Sequence, residues 1–134
     1  MQKRYLKKII AQSRKDLQFI SACCSEGIVK LSEIKFLPKN KIFLLSIERL
    51  SKEKNTERQK INSIIKFDYI DSSRSKNINH DEKDVSLQLL AINLFKRENN
   101  YEITLLFSNN RIITLTAEII EATLEDQKIN DKSN

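Results

Sequence analysis

The one histidine of the chain, His80, stands in a polar loop beside acidic residues. The next four residues, 81–84, read Asp-Glu-Lys-Asp, and an imidazole beside carboxylates can ligate a metal ion or act as a general base. These carboxylates are neighbours on one segment, and they lack the regular spacing and the bend glycine of a calcium loop. The pattern favours a solvated loop. An enzyme would need a concave pocket near His80 with convergent polar groups.

Two adjacent cysteines, Cys23 and Cys24, are the other residues with reactive side chains. Neighbouring residues on a helix point about 100° apart, so a disulfide between them would be strained. Their spacing is not that of a metal pair, and the pattern indicates two small buried apolar side chains in a reducing compartment. A single glycine cannot make a phosphate loop. We therefore expect no metal site, no cofactor and no catalytic residue.

Basic residues form the third candidate site. The net charge is +6, from 24 Lys and Arg against 18 Asp and Glu. A positive face for nucleic acid or an acidic partner would combine the N-terminus with a polar loop, through Lys3, Arg4, Lys7, Lys8, Lys52, Lys54, Arg58 and Lys60. A sheet that binds nucleic acid also exposes aromatic side chains among its charges, and here only Tyr5 does so. The Lys-, Ile- and Asn-rich composition, typical of an AT-rich genome, favours scattered surface charge.

A hairpin of two strands organises the elements that must position these residues. Two apolar runs alternate with period two, and their inward residues are Tyr101, Ile103, Leu105 and Phe107 on the first and Ile113, Leu115 and Ala117 on the second. The connection, residues 108–110, contains Asn109 and Asn110, and asparagine tolerates the positive φ that tight hairpin turns need. The pattern predicts a long antiparallel hairpin with one buried face.

A helix is predicted over Ser13–Glu26, with Leu17, Ile20 and Cys24 on its apolar face. Ser13 is a suitable N-cap, and Asp16 can reach back to it as in a capping box. The glycine that follows, Gly27, stands where a helix ends in a left-handed cap.

Further strands are predicted before and after this helix. They cover residues 5–10, Ile28–Leu31, Ile34–Leu37, Lys41–Leu50, Ile61–Asp71 (with Tyr69 inward) and Val85–Phe95, with a tight turn at Pro38–Lys41 and polar connections at Ser51–Lys60 and Ser72–Asp84. Apolar parity changes near Ile119–Ile120, which indicates either a bent strand with a β-bulge or a helix over Thr116–Gln127. We favour the strand, and we assign Glu125 and Asp126 to the solvated end of the chain.

The assembled prediction is an α+β fold in which one N-terminal helix packs on a curved antiparallel sheet of about six or seven strands. Such a sheet could close into a half-barrel like that of pleckstrin-homology-type domains, an analogy without functional content. Residues 1–127 would form one domain, and residues 128–134 a polar, frayed tail. No apolar run approaches the ~20 residues of a membrane span, and the first apolar run is too short for a signal peptide, so we expect a cytoplasmic protein.

Three sequence runs resemble one known family. They are QSRKDLQFISACCSEGIVK, SEIKFLPKNKIFLLSIERL and RIITLTAEIIEATLED, and together they look like a family of short alphaproteobacterial proteins that is known only as a domain of unknown function. The matching features include Asp16-Leu17 with Ile20-Ser21-Ala22, Leu37-Pro38 before Phe43-Leu44-Leu45, and Leu124-Glu125-Asp126. The resemblance implies a cytoplasmic bacterial protein. It implies no activity, cofactor or catalytic residue.

Two functions remain open at this point. The first is a non-enzymatic binding or adaptor domain that holds a protein partner, or a second copy, at a sheet edge or at one end of the half-barrel. It predicts an exposed apolar groove or an unprotected edge strand. The second is a nucleic-acid-associated protein, which requires the basic residues to converge on one face.

Overall fold

The computed structural model of the chain describes residues 6–50 and 59–127. In order these residues form β1 (Lys8–Ala11), α1 (Arg14–Cys24), β2 (Ile28–Lys30), a 3₁₀ turn (Leu31–Glu33), β3 (Ile34–Leu37), β4 (Ile42–Leu50), β5 (Lys60–Phe67), β6 (Ile70–Lys76), β7 (Ser86–Lys96), β8 (Tyr101–Phe107), β9 (Arg111–Ala117) and β10 (Ala122–Asp126). The α+β class is confirmed, but the predicted six or seven strands are wrong, because the described residues form ten. The likeness to a pleckstrin-homology half-barrel stays a prediction. None of the helices described is both long and apolar enough to cross a membrane.

The strands pair in the order β1-β10-β5-β4-β2-β7-β8-β9-β6, and β3 also pairs with β4. Every pairing is antiparallel. β5 lies near one end of this order and β6 at the other, yet only Asp68 and Tyr69 separate them in the chain. The sheet must therefore curl until β6 lies beside the start of β4 and the end of β5. Bonds at the junction hold it there, since the Ile70 N–H donates to the Lys41 carbonyl at 2.8 Å.

The predicted hairpin is confirmed as β8 and β9. Ile103 lies opposite Leu115, and Leu105 lies opposite Ile113, and all four side chains are buried. The turn residues Asn109 and Asn110 have φ of 62° and 58°, the left-handed values that asparagine tolerates better than most residues.

The N-terminal helix begins as expected, because the Ser13 Oγ accepts the Asp16 N–H at 3.2 Å. The predicted left-handed cap at Gly27 is wrong, since the positive φ of 70° belongs to Glu26. Gly27 meets a different demand. A Cβ added to it would lie 2.6 Å from the Ile47 Cδ1, so the absence of a side chain lets the chain after α1 pack directly on β4.

Two boundaries near β6 differ from the prediction. The strand predicted over Ile61–Asp71 ends at Phe67, and Tyr69 lies exposed in a turn with φ of 61° instead of pointing inward. The predicted polar connection Ser72–Asp84 begins as part of β6, which pairs with β9. Within the predicted loop Ser51–Lys60, residues 51–58 lie outside those described, and Lys60 begins β5.

Near Ile119–Ile120, where the apolar parity changes, the chain passes from one set of partner strands to another. Ala122–Asp126 is a strand, as we favoured over a helix, but residues 118–121 separate it from β9, so no single bent strand runs through. β9 pairs with β6 and β8, whereas β10 pairs with β1 and β5. The chain therefore changes faces by leaving one partner set for another. Register shifts occur elsewhere, in β7 between Leu89 and Ala91 and in β6 between Ile70 and Ser72.

Candidate functional site

A recess of about 240 Å³ opens between β3 and β6. Among the pairings of the described residues, β3 pairs with β4 alone and β6 with β9 alone, so each strand has one edge without a strand partner. The apolar wall comes from β3, β4, β9 and the 3₁₀ turn, through Leu31, Ile34, Phe36, Phe43 and Ile113. The polar side comes from Ser73, Ser75 and His80.

The recess exists because β6 carries small residues at inward positions. Ser73 lies opposite Leu115 and Ser75 opposite Ile113, in register with buried apolar residues of β9. A branched aliphatic side chain at either serine would occupy this space, and protein interiors leave few such voids when they can be filled. The inward serines therefore both open the recess and place hydroxyl groups along it.

His80 completes the polar side of the recess. Its Nε2 lies 2.6 Å from the Ser75 Oγ. The loop that carries His80 is fixed by its own turns, because the Asn79 side-chain oxygen accepts the Asp81 N–H at 3.0 Å and the Asn79 carbonyl accepts the Glu82 N–H at 3.1 Å. Residues 79–84 are exposed, as a solvated loop requires. A concave pocket with polar groups near His80, the feature that an enzyme would need, is therefore present.

A second polar cluster lies buried where β4, β5 and β10 run side by side. The Arg49 Nη2 donates to both carboxylate oxygens of Asp126 at 2.9 Å, and its Nε donates to the Ser63 Oγ at 3.1 Å. The Ser63 hydroxyl in turn donates to the Asp126 Oδ1 at 2.7 Å, and the Lys7 backbone N–H reaches the Oδ2 at 2.9 Å. We call Arg49, Ser63 and Asp126 the buried triad.

The contacts of the triad set the ionisation of its carboxyl group. Burial by itself raises the pKa of Asp126, but the hydrogen bonds from Ser63, the Lys7 N–H and Arg49 outweigh it and leave that pKa below its ordinary value. Asp126 is therefore an ionised, paired carboxylate. Its assignment to a solvated chain end was wrong, although Glu125 beside it is exposed.

The predicted basic face falls only partly within the described residues. Lys3, Arg4, Lys52, Lys54 and Arg58 lie outside them. Lys7 and Lys8 lie at β1 and Lys60 at the start of β5, two strands that flank β10. Acidic groups accompany them, since Lys8 lies opposite Glu125 and the Lys60 Nζ lies 3.9 Å from the Glu48 Oε1.

The remaining candidates from the sequence are the two cysteines and a metal site. Cys24 is buried and Cys23 half-buried, both as free thiols. Among the residues that the structure describes, no three His, Cys, Asp or Glu side chains are grouped to hold a metal ion.

The prediction missed both the polar side of the recess and the buried triad, although the sequence held a signal for each. Ser73 and Ser75 alternate with Arg74 and Lys76, a period of two that is typical of a strand with polar residues on both faces. The signal for the triad is a charge on an inward parity. Arg49 continues the series Phe43, Leu45, Ile47, and Asp126 continues the series Ala122, Leu124. Two opposite charges at inward positions of different strands predict a buried ion pair.

Comparison with known proteins identifies the family of the chain. No curated protein and no solved structure matches the chain. A family model described as a protein of unknown function (DUF2948) matches residues 7–134, and the chain therefore belongs to that family.

Proposed function

We propose that the chain is a non-enzymatic binding domain that holds an extended segment of a protein partner along the free edges of β3 and β6. The observation that carries this proposal is the pair of strand edges without strand partners on either side of the recess. An extended segment can add to such an edge through main-chain hydrogen bonds, and pockets beside the edge then select its side chains.

The other free strand edges of the described residues lie beside α1. β1, at one end of the sheet, contacts α1, although in length it equals β3, since each strand has four residues. The second half of β7 is covered by α1. The Ser21 Oγ accepts the Ile92 N–H at 2.9 Å, and the Arg14 Nη1 donates to the Leu94 carbonyl at 2.7 Å.

The edges of β3 and β6 lie beside a recess and beside apolar side chains that solvent reaches. Phe36 and Ile34 are only half-buried, and Leu37 at the end of β3 is 40% exposed. A partner segment would therefore gain both main-chain hydrogen bonds and apolar contact here. Because β1 also exposes an apolar side chain, Ile10 at 58%, it is the recess that supports the β3–β6 opening over β1 as the binding edge.

Site-specific photo-crosslinking tests this proposal. A photoreactive phenylalanine analogue replaces Lys35 on β3 or Lys76 on β6, and Glu125 on β10, which is also exposed, serves as the control position. In extract of the source organism, we expect the two edge positions to capture a protein of the same mass that the control position does not capture. Adducts of equal yield at all three positions, or none at either edge, would overturn the proposal.

Nucleic-acid binding through the predicted basic residues is the alternative function, and the same samples separate it. Binding of phosphate weakens steeply between about 50 and 200 mM salt and disappears with nuclease. An adduct that needs intact nucleic acid would favour this alternative. An adduct that survives nuclease and high salt favours the protein partner.

A further inference from the structure

The lining of the β3–β6 recess has the features of a small-molecule site. Its deep side is apolar, and three groups that can each donate or accept a hydrogen bond converge on the other side, namely the hydroxyls of Ser73 and Ser75 and the imidazole of His80. Ligand pockets typically combine a mostly apolar wall with a few placed polar groups. The bond between Ser75 and His80 holds two of these groups in one place.

The charge of the lining restricts the ligand. Of the residues that the structure describes, those that line the recess include no Asp, Glu, Lys or Arg. A charged head group would therefore lose part of its hydration without gaining a counter-ion, which is costly. A neutral polar head avoids this cost. A hydroxyl is well suited, because it donates one hydrogen bond and accepts others, as the serine and histidine groups facing it also can.

The volume of the recess and the side chains of its wall indicate the apolar part of the ligand. The recess measures about 240 Å³, whereas a dry cavity of about 150 Å³ already admits benzene. One ring with a short substituent fits, and a large drug-like molecule does not. Phe36 is half-buried and contributes to the wall, whereas Phe43 opposite it on β4 is buried. Aromatic side chains pack favourably against a further ring.

We propose that the β3–β6 recess binds a small neutral aromatic alcohol, with its ring against Phe36 and its hydroxyl bonded to Ser75 and His80. This proposal does not rest on the partner segment proposed above, because the ligand would bond to side chains of the recess and not to the backbone of the strand edges.

Titration with 4-methylphenol, followed by amide shifts in ¹H–¹⁵N spectra, tests the site. We expect shifts at recess residues such as Ile34 and Ser75. 4-Methylbenzoate, which has the same ring and a charged head, should bind at least about fivefold more weakly, given the unpaired charge. Absence of recess shifts with 4-methylphenol, or equal affinity for the two compounds, would overturn the proposal.

Three serines of β6 supply the variants. Ser75→Ala removes a hydrogen-bonding group and should weaken 4-methylphenol binding about fivefold, while Ser73→Leu fills the recess and should abolish it. Ser72→Ala is the control, because Ser72 lies opposite Thr116 and does not line the recess. Its affinity should match the wild type. Equal binding by all three variants would also overturn the proposal, and the unchanged spectrum outside the recess verifies that each variant folds.

Discussion

The buried triad and the β3–β6 recess both place polar side chains among apolar ones. They differ in how many of their hydrogen-bonding groups are already bonded within the protein. In the triad, Arg49 is 3% and Asp126 5% exposed. Both oxygens of the Asp126 carboxylate receive donors from the protein itself. In the recess, Ser75 and His80 bond each other and remain exposed.

This difference separates a structural role from a binding role. A buried charge without partners is costly, so a polar cluster inside the sheet must satisfy itself. The triad does so and has nothing left to offer a ligand. Exposed hydroxyls can exchange water for a ligand at little cost to the fold. This is why we propose binding at the recess and expect the triad to stabilise the fold.

The largest expected effect comes from breaking the triad. Arg49→Met should lower the free energy of unfolding by about 3–5 kcal/mol, because it leaves the Asp126 carboxylate buried without its cation. Urea unfolding followed by circular dichroism measures this change. The matched control is Arg97→Met, which breaks an exposed pair with Glu102 at 2.6 Å and should cost no more than about 1 kcal/mol.

The double variant Arg49→Met with Asp126→Leu sharpens this test. Replacing both partners of a buried pair by apolar residues is often neutral or stabilising, so the double variant should be more stable than Arg49→Met alone. If Arg49→Met and Arg97→Met cost the same, the triad does not hold the sheet together in the way described.

Gly27 gives the next largest effect, again in the closed part of the molecule. Gly27→Ala places a Cβ against the side chain of Ile47 and should destabilise the fold by about 1–3 kcal/mol, the usual cost of overpacking. Ile47→Val removes the Cδ1 that the new Cβ would meet. In a double-mutant cycle, Ile47→Val should therefore recover part of the Gly27→Ala loss. Purely additive costs would show that the contact with Ile47 is not the constraint.

Gly27 also shows how far sequence reasoning reaches. Local patterns predicted the helix, its Ser13 cap and the β8–β9 hairpin, because these depend on residues close together in the chain. They predicted a left-handed residue just after the helix but placed it at Gly27 and not at Glu26. They also could not show why residue 27 is a glycine, because its contact with Ile47 is long-range. The recess was missed for the same reason. Ser73 and Ser75 were assigned to a loop. Their alternation with Arg74 and Lys76 shows that they share a face, but that this face points inward depends on the pairing with β9.

Acid should weaken the triad in a graded way. The pKa of Asp126 lies below its ordinary value of 3.8 in the folded chain, so its stabilising contribution is complete above that ordinary value and declines as pH falls through the folded pKa. Unfolding measured from about pH 6 to about pH 2 should show this decline. Asp126→Asn should be less stable at neutral pH and show a shallower decline in acid. An equally steep decline in this variant would assign the acid sensitivity to other carboxyl groups.

The smallest effect on stability is expected at the recess, where the proposed binding role predicts the opposite pattern. Ser75→Ala and His80→Ala alter exposed side chains and should change the free energy of unfolding by no more than about 0.5 kcal/mol, while both weaken binding of 4-methylphenol. The triad variant Arg49→Met should do the reverse, with lower stability and, below its unfolding transition, unchanged affinity. A stability loss of more than about 2 kcal/mol in Ser75→Ala would mean that the Ser75–His80 bond supports the fold. In that case the recess would be a structural cluster like the triad, and the distinction between the two regions would fail.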